Sequence, residues 1–134
     1  MPNTTTITGN LTHDPEIHYG AEGVPVARFG VAVSHRKRDG GGGWTEETSF
    51  VEACCFRELA ENVVLTLHKG ARVIAVGRLS TSSWTDQAGA NRSRLELVAE
   101  EVGASLRWAT AELTRTRSRS YVSGEKESES ELTQ

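Results

Sequence analysis

No run of about 18 apolar residues occurs in this chain of 134 residues, so a membrane-spanning helix is excluded. The opening Met1-Pro2-Asn3-Thr4-Thr5-Thr6 has neither a charged start nor an apolar stretch, and a secretory leader is not expected. Cysteine is confined to the neighbours Cys54 and Cys55. Adjacent strand residues point to opposite faces, so these two are not expected to bridge each other. They read as small strand residues of a reducing compartment; the alternative is a link between subunits near a twofold axis. With no second Cys or His cluster at ligand spacing, no metal site is expected. His13, His18, His35 and His68 are scattered outside any nucleophile or metal motif, and there is no Walker loop, so no catalytic set and no cofactor are expected. Excess positive charge is also missing. The formal net charge is −3, which argues mildly against a polyanion binder.

The hydrophobic pattern predicts an all-β domain with one short helix. Thr4 to Leu11 reads as a strand with Ile7, Gly9 and Leu11 on one face. A turn-rich stretch follows, with a short extended piece near Ile17 to Tyr19. From Val24 to Ser34, Ala27, Phe29, Val31 and Val33 alternate with Arg28, Gly30, Ala32 and Ser34, giving one core face and one open face. His35 to Gly43, with glycine at positions 40 to 43, reads as a mobile hairpin loop. Thr48 to Phe56 is a third strand. Leu59, Ala60, Val63, Val64 and Leu67 fall at helical spacing before Gly70. Arg72 to Ser83 is a fourth strand, Asp86 to Arg92 a second loop, and Ser93 to Val102 a fifth strand with Leu95, Leu97 and Ala99 inward and Arg94 and Glu96 outward. Three strands, a helix and two strands are the element order of a five-stranded OB-fold barrel, the helix lying between strands 3 and 4 and plugging one end. Trp108, ending an apolar stretch, reads as core or interface.

From about Thr110 the composition changes. Arg115, Arg117 and Arg119 alternate with Thr and Ser, and Glu125 to Glu131 alternate mainly with Ser. So few apolar residues cannot offset the entropy of ordering. The expected division is a folded domain over residues 1–112 and a disordered tail over 113–134. The tail holds four acids and four bases, leaving 14 acids against 11 bases in the domain. Any anion-binding surface must therefore be a local cluster of bases.

Trp84 lies among Ser82, Ser83, Thr85 and Asp86, with little apolar company. Phe50 and Phe56 share one parity on their strand, with Glu52 between them. Large rings on polar faces find flat partners, and every nucleobase offers a π-face. Packing against another subunit is the alternative for Phe50 and Phe56. Arg36-Lys37-Arg38 reads either as a solvated turn or, beside a groove lined by rings, as a clamp on phosphates.

The stretch Gly9-Asn10-Leu11-Thr12-His13-Asp14-Pro15-Glu16-Ile17-His18-Tyr19 resembles the start of bacterial single-stranded DNA-binding proteins. Phe56-Arg57-Glu58-Leu59-Ala60-Glu61, Lys69-Gly70-Ala71-Arg72-Val73, Gly77-Arg78-Leu79 and Trp84-Thr85-Asp86-Gln87-Ala88-Gly89 are similar to later segments of that family, in the same order, so the likeness covers about residues 3–108. The resemblance implies an OB-fold homotetramer, cytoplasmic and nucleoid-associated, that binds single-stranded DNA without sequence preference by stacking and phosphate contacts during replication, repair, recombination or chromosome segregation. The alternatives are an assembly or protein-interaction module with weak DNA affinity, or a binder of single-stranded RNA. Carried over by residue, it makes Phe50, Phe56 and Trp84 stacking positions. A further family ring falls near Lys37, where this chain has none; Trp44 is the substitute. Arg28, Arg36, Lys37, Arg38, Lys69 and Arg92 are the expected phosphate contacts. The family's basic residues before the loop Trp are Ser80-Thr81-Ser82-Ser83 here, and Glu52 replaces a base. The final Glu129-Ser130-Glu131-Leu132-Thr133-Gln134 carries no Pro-Phe tip, so docking of replication and repair proteins through the tail is not expected.

Overall fold

The computed structural model describes residues 3–116. The disorder expected of the tail therefore falls, from residue 117 onward, outside the described residues. The elements run β1 (Thr4–Leu11), β2 (Glu16–Tyr19), β3 (Pro25–Arg38), β4 (Trp44–Phe56), α1 (Arg57–Thr66), β5 (Arg72–Thr85) and β6 (Asn91–Ala104). The sheet order is β1-β5-β6-β4-β3-β2, and a further β1–β3 pairing closes five of these strands into the expected OB-fold barrel. The short β2 flanks β3 outside that closure, so α1 falls between the third and fourth barrel strands.

Alternation builds the core. Ala27, Phe29 and Val31 of β3, Ala53 and Cys55 of β4, Val73 and Ala75 of β5 and Leu97 and Ala99 of β6 point inward and are buried. Helix α1 adds Ala60 and Val63, with Leu67 just beyond it. Both cysteines are free and buried. Burial pushes the Cys55 thiol up to about 12, with Cys54 beside it a smaller cause.

The segment that carries the family likeness at the N-terminus proves to be a closure device. The Asn10 side-chain amide donates to the Gly70 carbonyl (3.0 Å) and the Lys69 amide to Asp14 Oδ1 (2.8 Å). Leu11 exchanges backbone hydrogen bonds with Ala71 and Gly70. These contacts tie β1 to the turn that leads from α1 into β5.

Both hairpins are longer than the hydrophobic pattern predicts. The β3–β4 ladder continues to Arg38 opposite Trp44, and the β5–β6 ladder to Thr85 opposite Asn91. The expected loop over His35 to Gly43 is thus a tight turn at residues 39–43. Asp39 Oδ1 accepts the Gly41 and Gly43 amides (3.0 and 2.8 Å), and Gly42 takes the positive φ (87°) the turn requires. The second turn repeats this plan: Asp86 Oδ1 accepts the Ala88 and Ala90 amides (3.0 and 2.9 Å), and Gly89 has φ 86°.

Two further expectations are corrected. On β6, Glu96 shares the outward parity of Arg94 as expected yet is only 5 % exposed, while Leu95, expected inward, is 61 % exposed. Leu95 lies beyond the barrel wall, while Glu96 is held by Arg28 and Ser82. Trp108 is 72 % exposed, so it is not a core residue of this chain; Arg72 and Arg107 lie 4.7 and 5.1 Å from its ring centre. The chain has left the sheet at Ala104, and the ring stands outside the barrel beside two arginines.

Candidate nucleic-acid interface

Strand register decides which side chains share a face. Side chains alternate along a strand, and directly opposed residues of paired strands point the same way. On β4 the even positions Trp44, Glu46, Phe50, Glu52, Cys54 and Phe56 face outward from the core. Their partners on β3 are Arg38, Arg36, Ala32, Gly30, Arg28 and Val26. The parallel pairing of Cys54 with Val98 extends this face to β6, and the antiparallel ladder extends it to β5. There it takes in Arg92, Arg94 and Glu96 of β6 and Arg78, Ser80, Ser82 and Trp84 of β5. Because β4 and β6 run parallel, both hairpins project in the same direction from the barrel.

Four rings stand on this one face, well exposed: Trp44 (57 %), Phe50 (75 %), Phe56 (41 %) and Trp84 (42 %). Guanidinium groups accompany two of them. Arg36 and Arg38 lie 5.2 and 5.4 Å from the Trp44 ring centre, and Arg94 lies 5.0 Å from that of Trp84. A shallow hollow of about 420 Å³ beside Trp84 is lined by Ser83, Thr85, Asn91, Arg92 and Ser93. At the base of the face, Phe56 ends β4 and Arg57 adopts φ 63°, the left-handed region that costs a non-glycine residue about 1–3 kcal/mol. That turn sends the chain into α1 while leaving the Phe56 ring outward.

Of the residues expected to contact phosphate, Arg36 and Arg38 lie against a ring on this face. Arg28 shares the face but donates from Nη1 to Glu96 Oε2 at 2.7 Å, and Arg92 donates from Nε to Asp86 Oδ2 at 2.9 Å. Lys37 alternates to the other side of the ribbon, 3.5 Å from Glu47, which His35 also meets at 3.2 Å. Lys69 sits in the turn before β5, at the opposite end of that strand from Trp84. Sequence reasoning did not single out Arg94 as a member of this face, although its parity with Arg92 and Glu96 is readable. It also missed Glu96 as a buried acid; among the described residues this is the one buried charged side chain. The other oxygen of Glu96 accepts the Ser82 hydroxyl at 3.1 Å. Burial, and secondarily the Glu96 charge, raise the thiol pKa of nearby Cys54.

The hydrogen bond from Arg92, then the turn amides, hold the Asp86 carboxyl below its ordinary 3.8. A carboxyl with a lowered folded pKa contributes fully above its unfolded value and loses that contribution as pH falls through the folded value. Amide protection at Ala88 and Ala90, followed by hydrogen exchange, is expected to hold down to the ordinary carboxylate range and fail only below 3.8. Loss that begins near neutral pH would contradict this account of the turn.

Among the described residues, no helix is long and apolar enough to cross a membrane, and no group of three or more His, Cys, Asp or Glu residues is placed to hold a metal ion. Residues 2–105 match the Single-strand binding protein family. The chain is 45 % identical over 116 residues to the single-stranded DNA-binding protein of Paenarthrobacter nicotinovorans, covering 85 % of this chain and 68 % of that protein. It is 43 % identical over 124 residues to that of Mycobacterium tuberculosis, strain ATCC 25618 / H37Rv, covering 90 % and 76 %. Over 113 residues it is 43 % identical to single-stranded DNA-binding protein 2 of Streptomyces coelicolor, covering 83 % and 57 %. With the family matched across the whole barrel and relatives this close over most of their length, the chain belongs to the single-strand binding protein family.

Proposed function

We propose that this chain binds single-stranded DNA without sequence preference, stacking bases on Trp44, Phe50, Phe56 and Trp84. The observation that carries this reading is the register, which gathers four exposed rings on one face with Arg36, Arg38 and Arg94. Stacking is tolerant of sequence because every base has a π-face. Phosphates meet the guanidinium groups that lie over Trp44 and Trp84. The chain performs no chemistry of its own. It covers transiently unpaired strands, prevents their re-pairing, and acts as a homotetramer in the cytoplasm, at the nucleoid. The names of its relatives support the choice of ligand.

The test is intrinsic tryptophan fluorescence titrated with oligo-dT and with duplex of the same length, the particle mass being measured alongside. Saturable quenching by oligo-dT, weak response to duplex and the mass of four chains are expected. Absent quenching, or equal affinity for duplex, would overturn the proposal. A second reading, a barrel retained for assembly with weak DNA affinity, is favoured by the acids within the face, Glu46, Glu52 and Glu96. It predicts an intact tetramer without binding at moderate salt. Competition between oligo-dT and oligo-U separates DNA from RNA as the preferred strand.

A further inference from the structure

The carboxylate of Glu96 lies 5 % exposed within a face otherwise rich in arginine. It is held on both oxygens, by Arg28 at 2.7 Å and by Ser82 at 3.1 Å. From this geometry we infer that Glu96 is a fixed internal counter-ion that removes Arg28 from the phosphate-binding set and thereby limits the affinity of the face. The inference rests on the single-stranded DNA reading above.

The physical reason is the asymmetry between the two partners. Arg28 keeps 39 % of its side chain exposed, whereas Glu96 keeps 6 %. A phosphate arriving from solvent competes for a guanidinium whose present partner cannot follow it into water. Capturing Arg28 would strand a buried carboxylate without its cation, which costs more than an exposed ion pair returns. Glu96 therefore wins, and Arg28 contributes rigidity in place of attraction. The same pattern recurs nearby, where Asp86 holds Arg92 at 2.9 Å and Glu100 meets Arg78 at 3.6 Å. Those two pairs are more exposed and open to exchange with phosphate; the Glu96 pair is not. Weakened electrostatics leave stacking as the main attraction.

Glu96→Gln tests this directly. The carboxamide keeps the shape and an acceptor for Arg28, and the freed guanidinium can be hydrated, so the fold is expected to persist with an unchanged thermal midpoint. Binding of labelled oligo-dT by the full chain is measured across a salt series. Freeing one cation is expected to steepen the slope of log K against log salt by about 0.7 and to tighten binding about five-fold at about 0.1 M salt. The double variant Arg28→Gln/Glu96→Gln has no charge to free or to bury, and it should return to the parent affinity. Glu112→Gln, away from the face, should match the parent. Unchanged or weaker binding by Glu96→Gln, with the parent binding normally, overturns the inference and leaves the function standing. A double variant that retains the gain overturns the inference as well, again without touching the function. A parent chain that does not bind oligo-dT overturns both.

Discussion

Trp84→Ala is expected to weaken oligo-dT binding about 5- to 150-fold, the equivalent of about 1–3 kcal/mol for one stacked base. The ring stands near the tip of the β5–β6 hairpin, 42 % exposed and directly opposite Arg92. Arg94 lies 5.0 Å from the ring centre, so the indole is held in place on one side and open on the other. A base that stacks there also brings its phosphate near Arg94. Ser80 to Ser83 just before it carry no charge and Arg92 is paired with Asp86, so Arg94 is the main cation beside the ring that could compensate for its loss. Removing the side chain disturbs no core contact, because Trp84 lies outside the buried cluster. The thermal midpoint should therefore hold while affinity falls. An affinity within two-fold of the parent, by titration at the same salt, would remove Trp84 from the site.

Gly77→Ala is expected to cost about 3 kcal/mol of stability or more, at the upper end of what overpacking costs. A Cβ added at Gly77 would overlap the Val98 carbonyl oxygen and stand 2.7 Å from Ala99 Cα. Both obstacles are backbone, so no side chain can rotate away. The position also marks the irregularity where β5 shifts register against β6 between Val76 and Gly77. The two strands would have to separate where the barrel wall begins. For a domain of this size the thermal midpoint should drop by about 10 °C or more, followed by circular dichroism. Gly9→Ala poses the same test across the β1–β3 closure, where the new Cβ meets the Ala32 carbonyl. A midpoint within one or two degrees of the parent in either variant would mean that the strands are not packed as described.

The barrel is readable in the sequence because its strands alternate where one face is buried, as Ala27, Phe29, Val31 and Val33 do. The outer halves of both hairpins are not, because beyond the barrel wall neither face is buried and alternation carries no signal. Arg36, Lys37 and Arg38 therefore pass for loop, although their ladder to Trp44 continues unbroken. One local signal is available. Asp39 to Gly43 and Asp86 to Ala90 share Asp at the first position and Gly at the fourth, and both make the same carboxylate-capped turn. That turn, together with the unbroken ladder, places Trp44 opposite Arg38. Glu96 is beyond pattern reading for a different reason. Its burial depends on Arg28 and Ser82, which lie 68 and 14 positions away in the chain. Trp108 lies outside the core because an apolar flank in sequence does not supply a lid in space.

On the function proposed above, one ring-bearing face of the barrel holds single strands mainly by stacking, with much of its arginine charge already answered from within. A titration of the purified chain with oligo-dT over a salt series, read by tryptophan quenching, tests it most directly. Saturable quenching should persist as salt rises, with a slope corresponding to about three phosphate contacts, near −2 in log K against log salt. Absence of quenching at low salt, or binding that disappears steeply with salt as for a strongly basic protein, would contradict it.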